Sequence, residues 1–464
     1  MSTDQNNARS RREFIKMGGM AAASTALSGF RLPAVHTEGS DLIRVALVGC
    51  GGRGSGAAMN ALATQANAAI GGPIKLVAMA DTFPDRLKSS YDNLSKAAGD
   101  QVDVPKERQF VGFDAYKQAM DCLQPGDVVI LTTPPAFRWV HFDYAIKKKL
   151  NVFMEKPVTV DGPTSVRMFK LGEAASQAGL KVGVGLMSRH SVAMQELHER
   201  IQNGELGEIL LMRGYRMHGP AGYSESLPKP DNMSHLEYQI RRFHSFLWAS
   251  GGLFNDFYIH HIDHLSWMKN AWPVSARAVG GRHYKHNDQG VAFVDQNFDN
   301  YSVEYTYADG TKMYFDGRCV NGAEGVYSSY VHGTKGIAIA SRSNDCGGPS
   351  AIFKGQSTMG MPIWQSTDNS NPYQNEWNAL IGAIRKNKPH NEVEYGVKAS
   401  VVSSMGRMAA HTGQLITYDQ MLSCDHEFAP NVDKLTSTSD SPLMPGSDGR
   451  YPIPTPGLNP LREY

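Results

Sequence analysis

Short apolar runs alternate with longer mixed segments between residues 41 and 186. The runs predicted as strands are VALVG, LVAMAD, VVILTTPP, NVFMEKP and KVGVGLM. Several of them are separated by segments with helical patterning, such as Phe137–Lys149 and Pro163–Ala178. Strands that are apolar along their whole length and alternate with helices are typical of a parallel sheet covered on both faces. We therefore predict a doubly wound α/β domain over residues 41–186.

The pattern changes after Ser188, where stretches of alternating polarity replace the continuous apolar runs. These stretches are SARAVGGRHY, NYSVEYTY, TKMYFDGRCV and VYSSYVHGTKGIAIAS. Asp309-Gly310 stands between two of them and predicts a hairpin turn. Helices are predicted at Val192–Asn203, Gly252–Lys269, Glu376–Lys386 and Gly396–Gly413. We predict that residues 187–424 form a second domain with helices and a large, mostly antiparallel open sheet, one face of which is free for substrate or a second subunit.

The two ends of the chain are predicted to lie outside these domains. Residues 10–16 read SRREFIK, and the weakly apolar MGGMAAASTALSGF follows. A twin arginine before a short apolar segment is typical of a twin-arginine export signal, here residues 1–36, and predicts a periplasmic or otherwise exported protein. A disordered basic tail is the alternative, and cleavage or retention as an anchor stays open. The Pro- and Ser-rich tail, residues 425–464, should cover a surface or stay mobile.

Composition narrows the classes of partner. The 464 residues include 46 basic and 45 acidic side chains, and this balance predicts no nucleic-acid partner. No apolar run reaches the roughly 18 residues of a membrane span, so an uncleaved signal is the one membrane contact considered. The five cysteines are widely spaced and include no C-x-x-C pair, which indicates neither a disulfide framework nor a zinc site.

The run LIRVALVGCGGRG, Leu42–Gly54, is the most specific chemical signal. An apolar strand leads directly into Gly49, Gly51 and Gly54, which have the spacing G-x-G-x-x-G. The first glycine allows a tight turn, the second lets backbone amides approach a pyrophosphate, and the third lets the next helix pack on the sheet. We therefore predict a Rossmann domain that binds a dinucleotide. A glycine-rich turn in another kind of α/β protein is the alternative.

Asp81 ends the second predicted strand, 27 residues after Gly54. A carboxylate there accepts hydrogen bonds from ribose hydroxyls and repels a 2′-phosphate, which favours NAD over NADP as the cofactor. NADP stays an alternative. The residues predicted to contact the cofactor are Gly49, Gly51, Gly52, Arg53, Gly54, Asp81, Thr133, Pro134, Glu155 and Lys156.

Lys156 lies in the run Glu155-Lys156-Pro157 at the carboxyl end of a predicted strand. Ligands of such sheets lie at the carboxyl ends of the strands, so this run and Thr132–Pro135 should line the same crevice as the glycine loop. A lysine there can donate a hydrogen bond to a substrate oxygen, and burial beside a cationic nicotinamide would lower its pKa. A solvated surface lysine is the alternative.

The segment Gly251–Met268, GGLFNDFYIHHIDHLSWM, concentrates titratable groups. On a helix, Asp256, His260 and His264 form one polar stripe, with Asp263 beside them. A carboxylate one turn from an imidazole can orient it and fix its tautomer, as a general base requires. Structural histidines are the alternative. No metal site is predicted, because three ligands on one straight helix rarely close around one ion.

Taken together and in this order, these motifs resemble the glucose–fructose oxidoreductase and inositol dehydrogenase superfamily (Gfo/Idh/MocA). The resemblance covers about Asp41 to Met421 and rests on VALVGCGGRG, TTPPAFRWVHFDYAIKKKLNVFMEKP, NGELGEI, GGLFNDFYIHHIDH, EWNALIGAIRKNKP and AAHTGQLITYDQML. It implies a catalytic set in which Lys156 stabilises the carbonyl oxygen, His260 is the base and Asp256 orients His260. The chain departs from the family's helix motif at Ser250 and Tyr258, where the family has glycine, and the tyrosine bears on the choice of substrate.

The segment between Gly214 and Ser250 has unusual content for that family. The candidates to line or cover a polar, ring-shaped substrate are Arg241, Arg242, His244 and Trp248, with Arg189 and Tyr258 as further candidates. A solvated loop is the alternative. The resemblance implies an NAD(P)-dependent dehydrogenase acting on a secondary alcohol of a sugar, cyclitol or glycoside, in a homo-oligomer formed through the open sheet. An NAD-dependent glycoside hydrolase that uses transient oxidation and elimination, and a non-enzymatic NAD-binding protein, are the alternatives.

Overall fold

Five of the six strands of the first sheet form from the predicted apolar runs, and the short strand Gln109–Val111 is an addition. The structure, a computed structural model, describes residues 41–283, 286–460 and 462–464. Its first strands are β1 (Ile43–Val48), β2 (Ile74–Asp81), β3 (Gln109–Val111), β4 (Val128–Leu131), β5 (Asn151–Met154) and β6 (Val182–Val184). They pair in parallel in the order β3-β2-β1-β4-β5-β6, which is the order of a dinucleotide-binding Rossmann sheet. The predicted Rossmann fold is therefore confirmed.

Alternate residues of β1 enter separate apolar cores on the two faces of this sheet. Val45 and Leu47 belong to one core, and Ala46 and Val48 belong to the other. The helices of this domain are α1 (Gly52–Ala63), α2 (Pro84–Ala98), α3 (Ala115–Asp121), α4 (Arg138–Lys147) and α5 (Gly162–Gln177). A strand buried on both faces needs apolar side chains on both, which explains the continuous apolar run Val45–Val48 of β1.

The second sheet has nine strands within the described residues. They are β7 (Ile209–His218), β8 (Ser275–Gly281), β9 (Asn300–Thr306), β10 (Lys312–Cys319), β11 (Val326–Gly333), β12 (Gly336–Ser341), β13 (Ala351–Lys354), β14 (Trp364–Gln365) and β15 (Ile416–Thr417). The order is β14-β13-β12-β11-β7-β10-β9-β8-β15, antiparallel except for β7 with β10. The predicted antiparallel sheet is confirmed, and Asp309-Gly310 lies in the connection between the paired strands β9 and β10.

The helix predicted over Gly252–Lys269 is not continuous. Gly251 and Gly252 have φ of 77° and 73°, a π-helical turn occupies Phe254–Tyr258, and a regular helix begins only at Ile259. The helices of this part are α6 (Val192–Gln202), α7 (His235–Arg241), α8 (Leu247–Ser250), α9 (Ile259–Lys269), α10 (Pro372–Arg385), α11 (Val393–Thr412) and α12 (Tyr418–Ser423). Left-handed glycines cannot continue a right-handed helix, so the segment before Ile259 takes an irregular path.

The tail after residue 424 packs against the rest of the molecule. Phe428, Leu443 and Tyr451 are buried in an apolar cluster, and the Glu463 carboxylate forms an ion pair of 2.8 Å with Arg407 of α11. Of the two alternatives for this tail, the structure therefore shows the covering one. The export signal predicted over residues 1–36 lies outside the described residues. Among the described helices, none has both the length and the apolar character that a membrane crossing requires.

Candidate active site

A crevice of about 780 Å³ lies at the carboxyl ends of β1, β2, β4 and β5, where the second domain faces the first sheet. Every residue predicted to contact the cofactor lines it: Gly49, Gly51, Gly52, Arg53, Gly54, Asp81, Thr133, Pro134, Glu155 and Lys156. In a doubly wound sheet this is the position where a dinucleotide binds. The structure thus brings the predicted cofactor residues together.

The glycine loop has two kinds of position. A Cβ on Gly54 would lie 2.1 Å from the carbonyl oxygen of Gly49 and 2.5 Å from Thr132 Oγ1, so close packing excludes a side chain there. A Cβ on Gly51 or Gly52 would meet nothing within 4 Å, because these residues face the crevice. Helix α1 begins at Gly52, so its free N–H groups and the positive end of its dipole point toward that space. This cradle fits a pyrophosphate.

Asp81 is fixed at the end of β2 with its carboxylate on the crevice wall. Its Oδ2 accepts a hydrogen bond of 2.7 Å from the Cys50 amide, and its Oδ1 accepts one of 2.8 Å from the Phe83 amide. Burial raises the pKa of Asp81, and the two amide hydrogen bonds oppose that rise. Each oxygen keeps a further lone pair, which fits the two hydroxyls of a ribose.

Lys156 and Asp256 meet at the end of the crevice that contains the predicted catalytic residues. The ammonium group of Lys156 donates to the backbone carbonyl of Asp256 and lies 3.7 Å from its Oδ1. The Nε2 of His244 lies 3.0 Å from Asp256 Oδ2. Burial alone would raise the pKa of Asp256, but the charges of Lys156 and His244 hold it well below its usual range. Asp256 is therefore an anion that fixes both Lys156 and His244.

His260 lines the same end of the crevice as a neutral imidazole. Burial lowers the pKa of His260 to about 3, and the positive charges of Lys156 and Arg216 add to this effect. Its Nδ1 has no hydrogen-bond partner among the described residues. The prediction that Asp256 orients His260 is therefore wrong in its geometry. Asp256 lies within the π-helical turn and His260 in α9, so the two residues do not share one straight helical face, and the carboxylate is engaged with His244 and Lys156.

The remainder of the predicted polar stripe is structural. Buried His264 contacts Ser329 Oγ through Nε2 at 2.8 Å. Asp263 accepts three hydrogen bonds from Arg189, of 2.9 Å and 3.1 Å from Nε and 2.8 Å from Nη2. The Arg189 guanidinium also lies 4.2 Å from the ring centre of Tyr395. The prediction that Arg189 reaches the substrate is wrong, because this residue is held in an ion pair outside the crevice.

Of three further substrate candidates, two lie outside the crevice and one lines it. Trp248 is fully buried and donates from Nε1 to Gln239 Oε1 at 2.6 Å, and Tyr258 is fully buried with its hydroxyl 3.9 Å from Cys319 Sγ. Neither lines the crevice, so both predictions are wrong. Arg241 does line it, but at the cofactor end, where its guanidinium makes two hydrogen bonds of 2.9 Å to Asp85. Large polar-tipped side chains become core residues where a buried partner satisfies the polar tip.

Several residues that line the crevice are not among the predicted site residues. Arg216 in β7, Asp345 between β12 and β13, Phe257 in the π-helical turn and Tyr373 at the start of α10 all line the crevice. Arg216 and Asp345 form an ion pair of 3.0 Å. Phe257 lies within the motif GGLFNDFYIHHIDH. Arg216, Asp345 and Tyr373 come from distant parts of the chain and belong to none of the quoted motifs, so the sequence contains no signal that groups them with it.

Comparison with known proteins agrees with this geometry. A family model described as "Oxidoreductase family, NAD-binding Rossmann fold" matches residues 43–186, and the model of the GFO/IDH/MocA C-terminal domain matches residues 194–339. Together the two models cover more than half of the chain. The chain belongs to the Gfo/Idh/MocA family. The predicted family and the predicted NAD-binding type of its first domain are therefore confirmed.

Curated relatives include several inositol 2-dehydrogenases. That of Rhizobium meliloti (strain 1021) is 24% identical over 354 residues, which are 74% of this chain and 89% of that protein. Those of Corynebacterium glutamicum (strain ATCC 13032) and Pseudarthrobacter chlorophenolicus are 26% and 31% identical and match 30% and 34% of this chain. The matches span only 41% and 48% of the length of these two relatives.

Solved structures share the fold. The myo-inositol 2-dehydrogenase from Lactobacillus plantarum superposes with a TM-score of 0.57 at 20% identity, covering 81% of this chain and 99% of that chain. The aldose-aldose oxidoreductase from Caulobacter crescentus superposes with a TM-score of 0.59 at 16% identity, with the same coverages. At these identities the likeness establishes the two-domain architecture.

Proposed function

We propose that this protein is an NAD-dependent dehydrogenase that oxidises a secondary alcohol of a cyclitol or sugar. One observation carries the proposal. Lys156 and the neutral His260 line one end of a crevice, and the other end of the same crevice is a cradle that fits a dinucleotide. The names of the inositol 2-dehydrogenase relatives support a polyhydroxylated ring as the substrate class.

The residues present fit NAD. The amides at the start of α1 would hold the pyrophosphate, and Asp81 would hold the adenosine ribose, where its negative charge disfavours a 2′-phosphate. NAD, when bound, supplies the acceptor for the hydrogen that leaves the carbinol carbon. NADP is the alternative, and a comparison of the two affinities distinguishes them.

The side chains at the catalytic end divide the remaining work. His260 accepts the hydroxyl proton, for which a neutral imidazole is required. Lys156 donates a hydrogen bond to the same oxygen as it becomes a carbonyl. Asp256 holds the Lys156 ammonium in place through its backbone carbonyl and its carboxylate. Positioned in this way, Lys156 loses little freedom during the reaction.

An NAD-dependent glycoside hydrolase is disfavoured by the position of Tyr258. Family members that resemble such hydrolases usually carry a Y-x-x-H form of this helix, whereas here Tyr258 stands two residues before His260 and Asp256 is retained. Here the hydroxyl of Tyr258 points into the core toward Cys319, and burial raises its pKa well above the usual range. This tyrosine therefore cannot assist the departure of an aglycone.

Turnover assays test the proposal. Purified protein with NAD and a panel of cyclitols and sugars should form NADH in proportion to ketone, whereas a hydrolase should release sugar with no net NADH and exchange hydrogen with solvent beside the oxidised carbon. Lys156→Ala and His260→Ala should each lower kcat by about 10²–10⁴-fold, with non-additive effects in the double variant. Lys147→Ala, at an exposed lysine of α4, is the matched control. Full activity in Lys156→Ala would contradict the assignment.

We also infer that the protein is exported and self-associates. The twin arginine at Arg11-Arg12 supports export, and folded export suits a protein that must acquire its dinucleotide before it crosses the membrane. One face of the nine-stranded sheet carries exposed apolar side chains, including Val279 and Tyr314. Burial of such a face against a second copy would remove apolar surface from water.

A further inference from the structure

Asp345 is the carboxylate that stands beside His260. Its Oδ2 lies 4.0 Å from His260 Nε2, and both side chains line the catalytic end of the crevice. This distance is too long for a direct hydrogen bond. It is short enough for a strong interaction between opposite charges in a poorly solvated site, and the Asp345 side chain is only 13% exposed. The electrostatic interaction between Asp345 and His260 therefore depends on whether His260 carries a proton.

The Asp345 side chain is held on its other oxygen. Arg216 Nη1 donates to Oδ1 at 3.0 Å, and the hydroxyl of Tyr327 donates to the same oxygen. The backbone carbonyl of Asp345 accepts a hydrogen bond of 3.2 Å from Ser188 Oγ, which follows β6 of the first domain. These contacts fix the carboxylate and direct its second oxygen toward the imidazole.

Asp345 and Asp256 are both anions near His260, and Asp345 has the larger effect on the pKa of this imidazole. Burial lowers the pKa of His260, and Lys156, Arg216 and His264 lower it further. Asp345 acts in the opposite direction and is the largest charge effect on this imidazole. Burial alone would raise the pKa of Asp345, but His260, Arg216 and His261 hold it well below its usual range. Asp345 is therefore an anion at neutral pH.

We propose that Asp345 is the positioning carboxylate of His260, which stabilises the imidazolium that forms when Nε2 takes the substrate's hydroxyl proton. This inference rests on the proposed function, because it requires His260 to be the proton acceptor. In that step the substrate O–H bond breaks and an Nε2–H bond forms, which places a positive charge 4.0 Å from Asp345 Oδ2. Because His260 is neutral beforehand, the attraction grows as the proton moves and favours the transition state over the ground state.

Replacement of the charge at constant shape tests this role. With myo-inositol and glucose as probes, Asp345→Asn should lower kcat by about 10²-fold while KM stays within about threefold. The solvent deuterium isotope effect on kcat should increase, because proton transfer becomes slower relative to the other steps. Asp345→Glu should recover part of the loss, since it returns the charge. Asp143→Asn, an exposed carboxylate in an i,i+4 pair on α4, is the matched control and should leave kcat unchanged.

Two measurements separate this role from a structural one. NAD affinity, measured by fluorescence titration, and the melting temperature of Asp345→Glu should both stay close to the wild-type values. A kcat for Asp345→Asn within threefold of wild type would overturn the proposal, as would an equal loss in the Asn and Glu variants together with lost NAD affinity. Absence of turnover in the wild-type protein with every cyclitol and sugar would instead refute the proposed function, and this inference with it.

Discussion

Substitution of Gly54 by alanine should weaken dinucleotide binding although alanine is a good helix former. The added Cβ would lie 2.1 Å from the Gly49 carbonyl oxygen, far inside van der Waals contact. Gly49 cannot retreat, because its amide is bonded to the Ala80 carbonyl at 2.8 Å and its own carbonyl accepts from Thr132 Oγ1 at 2.6 Å. Helix α1 must therefore move away from β1 by roughly 1 Å to restore an ordinary contact.

The size of the effect follows from what this movement displaces. Overpacking of this kind costs roughly 1–3 kcal/mol in the folded protein. The shift also moves the amides at the start of α1 away from the pyrophosphate, and a hydrogen bond to a charged group contributes about 1.5–3 kcal/mol. Loss of one such bond weakens NAD binding by about 10- to 100-fold, since 1.4 kcal/mol corresponds to a factor of ten.

Gly56 offers a matched control in the same helix. Its Cβ would lie 3.8 Å from the Arg53 guanidinium, which is an ordinary contact, so Gly56→Ala should bind NAD like the wild-type protein. It should also stabilise the helix by up to about 1 kcal/mol. Isothermal titration with NAD, alongside circular dichroism to verify folding, compares the three proteins. NAD affinity of Gly54→Ala within threefold of Gly56→Ala would refute the steric reasoning.

Four other expectations can be tested directly. Asp81→Ala should weaken NAD more than NADP in titration, and tighter binding of NADP by the wild-type protein would contradict the ribose assignment. Glu463→Gln should lower the free energy of unfolding in urea by about 3–5 kcal/mol, because it leaves the fully buried Arg407 without its anion. The pKa of Glu463 is lowered to about 2, so its contribution to the free energy of unfolding is full at neutral pH. That contribution is lost as the pH falls from the carboxyl's ordinary pKa toward 2. The difference in unfolding free energy between variant and wild type should therefore shrink over that range. Lysine substitutions at both Arg11 and Arg12 should abolish export while the protein still folds and binds cofactor, and unchanged export would exclude the twin-arginine route. Light scattering should give a mass of at least two chains, and a monomer would contradict self-association through the open sheet.

The cofactor half of the site was predictable because its determinants are local. Each contact residue stands within a few positions of a strand's carboxyl end, and parallel strands bring those ends together at one edge of the sheet. The left-handed φ of 99° at Gly49 requires the residue type that the motif contains. The pairing of β7 with β10 and β11 has no such local signal, since it joins strands whose alternation would suit several registers.

The substrate half was less predictable because its residues meet only through the second sheet. Arg216 belongs to a strand whose polar and apolar residues alternate as in any half-buried strand. Asp345 lies in a polar loop that contains no recognisable motif. Arg189 shows the opposite case, because its residue type and its position after β6 predict a place in the crevice. The buried Asp263 binds Arg189 instead. The sequence predicts Asp263 beside the polar stripe of a straight helix, so it gives no sign of this ion pair. A straight helix was the wrong geometry, since two left-handed glycines and a π-helical turn precede the regular part.

Tyr258 illustrates how a departure from a family motif can alter the core without altering the site. A Cβ on Gly317 of β10 would lie 2.4 Å from the Tyr258 ring, so the tyrosine occupies space that the strand leaves open by having glycine there. The absence of a side chain at Gly317 makes room for the Tyr258 ring, so the core stays closely packed. The large side chain therefore adds nothing to the crevice wall. We therefore expect the choice of substrate to depend on residues that face the crevice, such as Arg216, Asp345 and Tyr373.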